Sequence, residues 1–178
     1  MKNWLLIMLL MLIPMMASAQ STYKQYIKAA KKGDADAQYR IGSCYSKGSG
    51  VERDEEKAVS WWRKAAEQGH AISQGLLGYA YDKGEGVPQS YSEGVKWYTK
   101  AAEEGDYESQ IRLAYMYEDG DGVRSSIEKS IDWYRKAAEQ DVPLAQTVLA
   151  MCYNSGKGVQ KVKFKLFIGF AKLHNKVF

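Results

Sequence analysis

Ser-x-x-Lys occurs twice in this 178-residue chain, as Ser21-Thr22-Tyr23-Lys24 and Ser126-Ile127-Glu128-Lys129. A serine with a lysine one helical turn on is a nucleophile arrangement of penicillin-reactive enzymes, but these also need Ser-Asp-Asn and Lys-Thr-Gly. Neither triplet is present, and Ser126 stands at a helix start, where its hydroxyl acts as a cap. The other nucleophiles, Cys44 and Cys152, have only His70 and His174 as candidate bases, and the spacing pairs neither with a partner. Two histidines cannot assemble a His-rich zinc site. Asp119-Gly120-Asp121-Gly122 could suggest calcium, but the position that should carry the bidentate Glu holds Ser130. Four Gly-x-Gly loops could suggest a phosphate cradle, yet no strand precedes any of them. An enzyme, a metal and a cofactor are therefore not expected.

Those glycines say more about architecture than about ligands. Gly48-Ser49-Gly50-Val51, Gly84-Glu85-Gly86-Val87, Gly120-Asp121-Gly122-Val123 and Gly156-Lys157-Gly158-Val159 recur at a step of 36 residues, without insertion. Gln38, Gln74, Gln110 and Gln146 keep the same step, as do Ile41, Leu77, Leu113 and Leu149, and Tyr45, Tyr81, Tyr117 and Tyr153. Four units follow, 35–70, 71–106, 107–142 and 143–178, preceded by a half-repeat helix over 20–34.

Each unit reads as two antiparallel helices. Leu77, Gly78 and Tyr81 form an apolar stripe at helical spacing, and Gly84 ends that helix. Asp54 caps the second helix of the first unit, while Ser90–Glu93 and Ser125–Glu128 read as capping boxes. Gly42, Gly78, Ala114 and Ala150 are small enough to let a large ring of the second helix seat against the first. Neither helix can hide its apolar face alone, so neighbouring pairs must stack.

The pattern A-x-x-Q-x-x-L-G-x-x-Y-x-x-G-x-G-V, followed by W-Y-x-K-A-A-E-x-G, resembles the Sel-one-like repeat family, a relative of tetratricopeptide repeats. The resemblance covers about Tyr23 to Gln160 and implies an all-α superhelix, or solenoid, that binds proteins or peptides. It also implies that positions 2, 5, 9 and 12 of each unit line a concave groove, and these lie off the core stripe. They are Asp36, Tyr39, Ser43 and Ser46; Ile72, Gly75, Tyr79 and Asp82; Glu108, Ile111, Tyr115 and Glu118; Leu144, Thr147, Met151 and Asn154. Asp82, Glu108 and Glu118 would make the floor acidic and suited to a basic peptide. A passive surface with scattered tyrosines is the competing reading. Cysteine-rich relatives carry a disulfide within each repeat and are linked with β-lactam binding; Cys44 and Cys152 do not follow that pairing. A non-enzymatic adaptor leads; an envelope enzyme acting on β-lactams or peptidoglycan and a fragment of a longer array are the alternatives.

The two ends carry the localisation signal and the break in pattern. Lys2, the apolar run Trp4–Met16 and Ala17-Ser18-Ala19 read as a signal peptide cut after Ala19, giving a periplasmic or secreted chain. The run is too short to span a bilayer, so no stable membrane insertion is expected after cleavage. Residues 161–178 abandon the template and hold five of the six lysines of the last unit, which has no acid. A divergent cap, a basic binding tail and a frameshifted end all remain open. Trp-Tyr beside Lys could suggest a nucleic-acid platform, but these aromatics recur at core positions and the second and third units are net acidic. No nucleic-acid partner is expected.

Overall fold

The computed structural model describes residues 21–156. They form eight helices and, among the described residues, no strand. Helix α1 spans residues 21–31. It is followed by α2 (Ala35–Lys47), α3 (Glu55–Glu67), α4 (Ala71–Lys83), α5 (Tyr91–Glu103), α6 (Tyr107–Asp119), α7 (Ile127–Glu139) and α8 (Pro143–Ser155). The described residues divide into two compact units, one ending at Glu104 and the other beginning at Gly105.

The helix ends follow from the glycines and the short polar residues. The first helix of every repeat stops at a left-handed glycine, Gly48, Gly84, Gly120 or Gly156, where a Cβ would be strained. Asp54 and Ser90 cap α3 and α5, their side chains accepting from Lys57 N and Glu93 N. The capping box expected at Ser125–Glu128 does not form, because the cap falls one residue later and puts Lys129, not Glu128, at the third helical position. Ser126 is the N-cap and accepts from Lys129 N at 3.3 Å. The cause is the loop, because Ser126 N donates to Tyr117 O just as Ser90 N donates to Tyr81 O, which sets the register of the helix start. Ser125 Oγ donates to Glu118 O instead.

In the unit ending at residue 104, the hairpins close by seating rings on glycines. A Cβ at Gly42 would meet Trp62, and one at Gly78 would lie 2.7 Å from the Tyr98 ring. Ala58, Val59, Trp62, Leu77, Ala80 and Trp97 form a shared core, with Ala30, Ala37 and Ile41 beside it. Each large apolar side chain buried this way stabilises the fold by about 1.5–3 kcal/mol. The repeated glutamine joins successive hairpins: Gln38 Nε2 donates to Ala30 O and Gln74 Nε2 to Ala66 O, each at 3.2 Å. Satisfying a buried carbonyl in that way holds one hairpin in register with the next.

In the second unit, α6, α7 and α8 enclose Ala114, Ile131, Tyr134, Ala137, Ala145 and Leu149. Gln146 Nε2 donates to Ala138 O at 3.3 Å, the same clamp. Cys44 and Cys152 are not joined in a disulfide: Cys44 is buried and Cys152 half-buried, and burial pushes the Cys44 thiol up. Residues 161–178 and the leader at 1–19 lie outside the described residues.

Candidate binding faces

The candidate surface is the face of each first helix turned away from its own core stripe. On α2, Asp36 is exposed, Tyr39 half-buried, and Ser43 half-buried with its hydroxyl donating to Tyr39 O at 3.0 Å. On α4, Ile72 and Tyr79 are 54% and 42% exposed. Burial and the neighbouring Glu85 hold the Tyr79 phenol above its ordinary range.

Asp82 does not belong to that face. It is only 1% exposed, with the Tyr98 hydroxyl donating to Oδ2 at 3.5 Å and Lys83 Nζ 3.7 Å away. Gly94 is the reason: a Cβ there would sit 3.3 Å from Gly78 O and 3.5 Å from Asp82 N, so α5 lies close on α4 and covers the carboxylate. The acidic floor expected from Asp82, Glu108 and Glu118 therefore loses its member on α4.

In the second unit, Glu108 is exposed and Ile111 half-buried on α6. Tyr115 is 37% exposed and meets the buried Tyr134 ring edge-on, with centroids 5.8 Å apart. Glu118 is half-buried. On α8, Leu144 and Met151 stand out at 47% and 66% exposure. An open cleft of about 260 Å³ runs between Glu118, Ile127, Ile131, Tyr134, Val148 and Met151. In the other unit, Val87 packs against the core that contains Ala58 and Val59, at the corresponding place. The residue two repeats after Val87, Val159, lies outside the described residues.

Sequence reasoning missed His70 as part of the α2 face. The signal was its position, one place before α4, where Asp34 and Asp106 precede α2 and α6. His70 Nδ1 accepts from Ser73 N at 3.2 Å, Nε2 lies 3.2 Å from Asp36 Oδ1, and the Tyr39 ring stacks on the imidazole at 5.0 Å. The residue types of a Ser–His–Asp set thus meet, but not as a nucleophile and base: the backbone amide of Ser73 occupies the imidazole nitrogen. The Ser73 hydroxyl is buried without a partner. Ser126 is spent as a cap. No group of three or more metal-ligating side chains occurs among the described residues. The lysines beside the tryptophans cap those rings, Lys64, Lys100 and Lys136 lying 4.2, 4.0 and 3.9 Å from the centroids of Trp61, Trp97 and Trp133.

Paired helices of equal length, glycine-ended and clamped by a periodic glutamine, define an α-solenoid repeat protein. The Sel1 repeat family matches residues 35–70, 71–106, 108–142 and 143–165, and the chain belongs to that family. Among solved structures, it is similar to a protective antigen of uropathogenic Escherichia coli displaying an SLR fold, at 39% identity and a TM-score of 0.74. That match covers 78% of this chain and 30% of the antigen. A Sel1 repeat protein from Oxalobacter formigenes matches at 36% identity and a TM-score of 0.71, over 79% of this chain and 63% of the other. The chain thus spans less than two thirds of either relative. Cysteine rich protein B of Helicobacter pylori shares the fold at 20% identity and a TM-score of 0.60, over 75% of this chain and 96% of the other. A comparison with curated proteins gives no match.

Proposed function

We propose that the chain is an exported, non-enzymatic scaffold that holds a protein or peptide partner on the outward faces of its first helices. One observation carries this reading. Seven large hydrophobic side chains are exposed among the described residues, and five of them, Ile72, Tyr79, Tyr115, Leu144 and Met151, fall at positions 2 and 9 of the repeat. Those positions are seven residues apart, two helical turns, and so share one face. Two large apolar groups left wet on α4 in one unit, and three on α6 and α8 in the other, need a reason, and aromatic anchors with a polar rim are what interfaces use. Sel1 repeats as a class mediate protein–protein interaction. Export rests on the Lys2, Trp4–Met16 and Ala17-Ser18-Ala19 pattern.

The test replaces Tyr79 and Tyr115 by alanine together in the full chain. Capture of the partner from an envelope extract should fall at least tenfold, about 1.4 kcal/mol, while the helical circular-dichroism signal stays unchanged. Undiminished capture would sink the binding faces. N-terminal sequencing of the mature product should begin at Gln20, and an intact Met1 would remove the export claim. A covalent band on a labelled-penicillin gel would overturn the non-enzymatic reading.

A further inference from the structure

His70 stands where the other capped first helices carry an aspartate. Asp34 Oδ1 accepts from Ala37 N at 2.7 Å and Asp106 Oδ2 from Ser109 N at 2.9 Å. An aspartate keeps its acceptor from about pH 5 upward, whereas an imidazole changes charge between about pH 5 and 8. The bond from Ser73 N to His70 Nδ1 requires that nitrogen to be bare, so the ring proton sits on Nε2, facing Asp36. The neutral ring therefore touches two helices, accepting from the first turn of α4 and lying 3.2 Å from Asp36 Oδ1 in the first turn of α2. The titratable groups in contact with it are Asp36 and Tyr39, both from α2. The ring itself is well covered, its side chain 14% exposed, while Asp36 is 81% exposed.

Adding one proton changes those two contacts in opposite directions. A proton on Nδ1 makes both ring nitrogens donors, so the bond from Ser73 N is lost and a cation is left at the positive end of the α4 dipole. The contact with Asp36 survives and becomes a full ion pair. We propose that His70 is a proton-operated latch: neutral, it fastens the start of α4 to α2, and protonated, it stays with Asp36 and lets go of α4. Asp36 and Tyr39 belong to the face proposed above to bind a partner, and only the consequence for binding rests on that reading. Ser73 is fully buried with its hydroxyl unpartnered, so loss of its amide bond removes the side-chain cap of α4 and opens its first turn, while the Gln74 Nε2 bond to Ala66 O holds the rest of the helix in place. The effect is confined to this turn, since α2 and α6 keep aspartate caps and α8 has no side-chain cap at Val142.

The test is amide hydrogen exchange of the full mature chain at pH 8 and pH 5, without any partner and corrected for intrinsic exchange. Protection of the Ser73 amide should fall roughly fivefold at the lower pH, the usual worth of one cap, while the Ser109 amide, capped by Asp106, holds. His70→Asn and His70→Asp should both abolish the difference. Parallel behaviour of Ser73 and Ser109 in the unaltered chain, or a pH-dependent Ser73 in either variant, would overturn the latch. Because no partner is present, that result is separate from the fate of the binding faces.

Discussion

The α4–α5 hairpin of one unit and the α6–α7 hairpin of the other are built on the same template, yet treat one position in opposite ways. In α4–α5, glycines at 78 and 94 bring the helices together, the Tyr98 ring lies over Gly78, and Asp82 is sealed inside. In α6–α7 those glycines are Ala114 and Ser130, and Tyr134 turns its edge to Tyr115. Glu118, the counterpart of Asp82, is left half-buried on the wall of a cleft. A methyl group and a hydroxymethyl group thus separate a core carboxylate from a surface one. Interiors pack too closely to absorb even one extra carbon without a shift.

The widest contrast should appear when each carboxylate is removed. Asp82→Ala strips the acceptor from the buried Tyr98 hydroxyl and leaves a void, and should cost about 3 kcal/mol in urea denaturation. Glu118→Ala should cost under about 1 kcal/mol. Equal losses would erase the distinction between the hairpins. Exchanging the small residues probes its cause. Gly78→Ala drives a methyl into the Tyr98 ring and should destabilise by about 2 kcal/mol despite the better helix propensity of alanine. Ala114→Gly should cost only the propensity difference, about 1 kcal/mol. A neutral Gly78→Ala would show that the ring is free to move.

Alkaline titration sharpens the same comparison. The Tyr134 phenol is raised above its ordinary range by burial first, then by Tyr115 and Glu118. A raised folded value means that the stabilisation is complete below the unfolded value of about 10 and is lost as pH climbs beyond it. Tyr134→Phe should flatten the fall in stability measured above pH 10, at a cost of about 1 kcal/mol at pH 7. A residual slope should remain from Tyr23, pushed up to about 12 by the Tyr45 hydroxyl and by burial. An unchanged slope would mean that Tyr134 does not titrate with unfolding.

The smallest effect is a gain. Gln68 and Gln140 each donate to a glutamine of the 36-residue series in their own unit, reaching Gln38 Oε1 at 2.8 Å and Gln110 Oε1 at 2.9 Å. The equivalent residue between them is Glu104, whose side chain has no N–H to offer, and Gln74 Oε1 is buried without a partner. Glu104→Gln should restore the donor and raise stability by about 0.5–1 kcal/mol. A destabilised variant would count against this account of the clamp.

The step of 36 residues, the helix pairs, the left-handed glycine ends and the ring-on-glycine contacts were all legible from residue type and spacing. Each depends on local backbone preference or on periodicity within a single hairpin. The exposed positions 2 and 9 were legible too, through a family resemblance combined with the helical wheel. Asp82 was not, because its burial depends on how near α5 approaches, and a polar residue on a helix carries no mark of that distance. The register of Ser126 was set by a backbone bond across the hairpin loop. His70 read as a turn residue until α2 was brought beside it.

Local chemistry, repeated at a constant interval, was enough to determine helices, their ends and their pairing, because those follow from interactions within a few residues or one hairpin. Which polar groups are wet, which carboxylate is sealed and which imidazole touches two helices were decided only by tertiary packing. Burial and hydrogen bonding between segments depend on ångström-scale approach, which small differences such as Gly94 against Ser130 control.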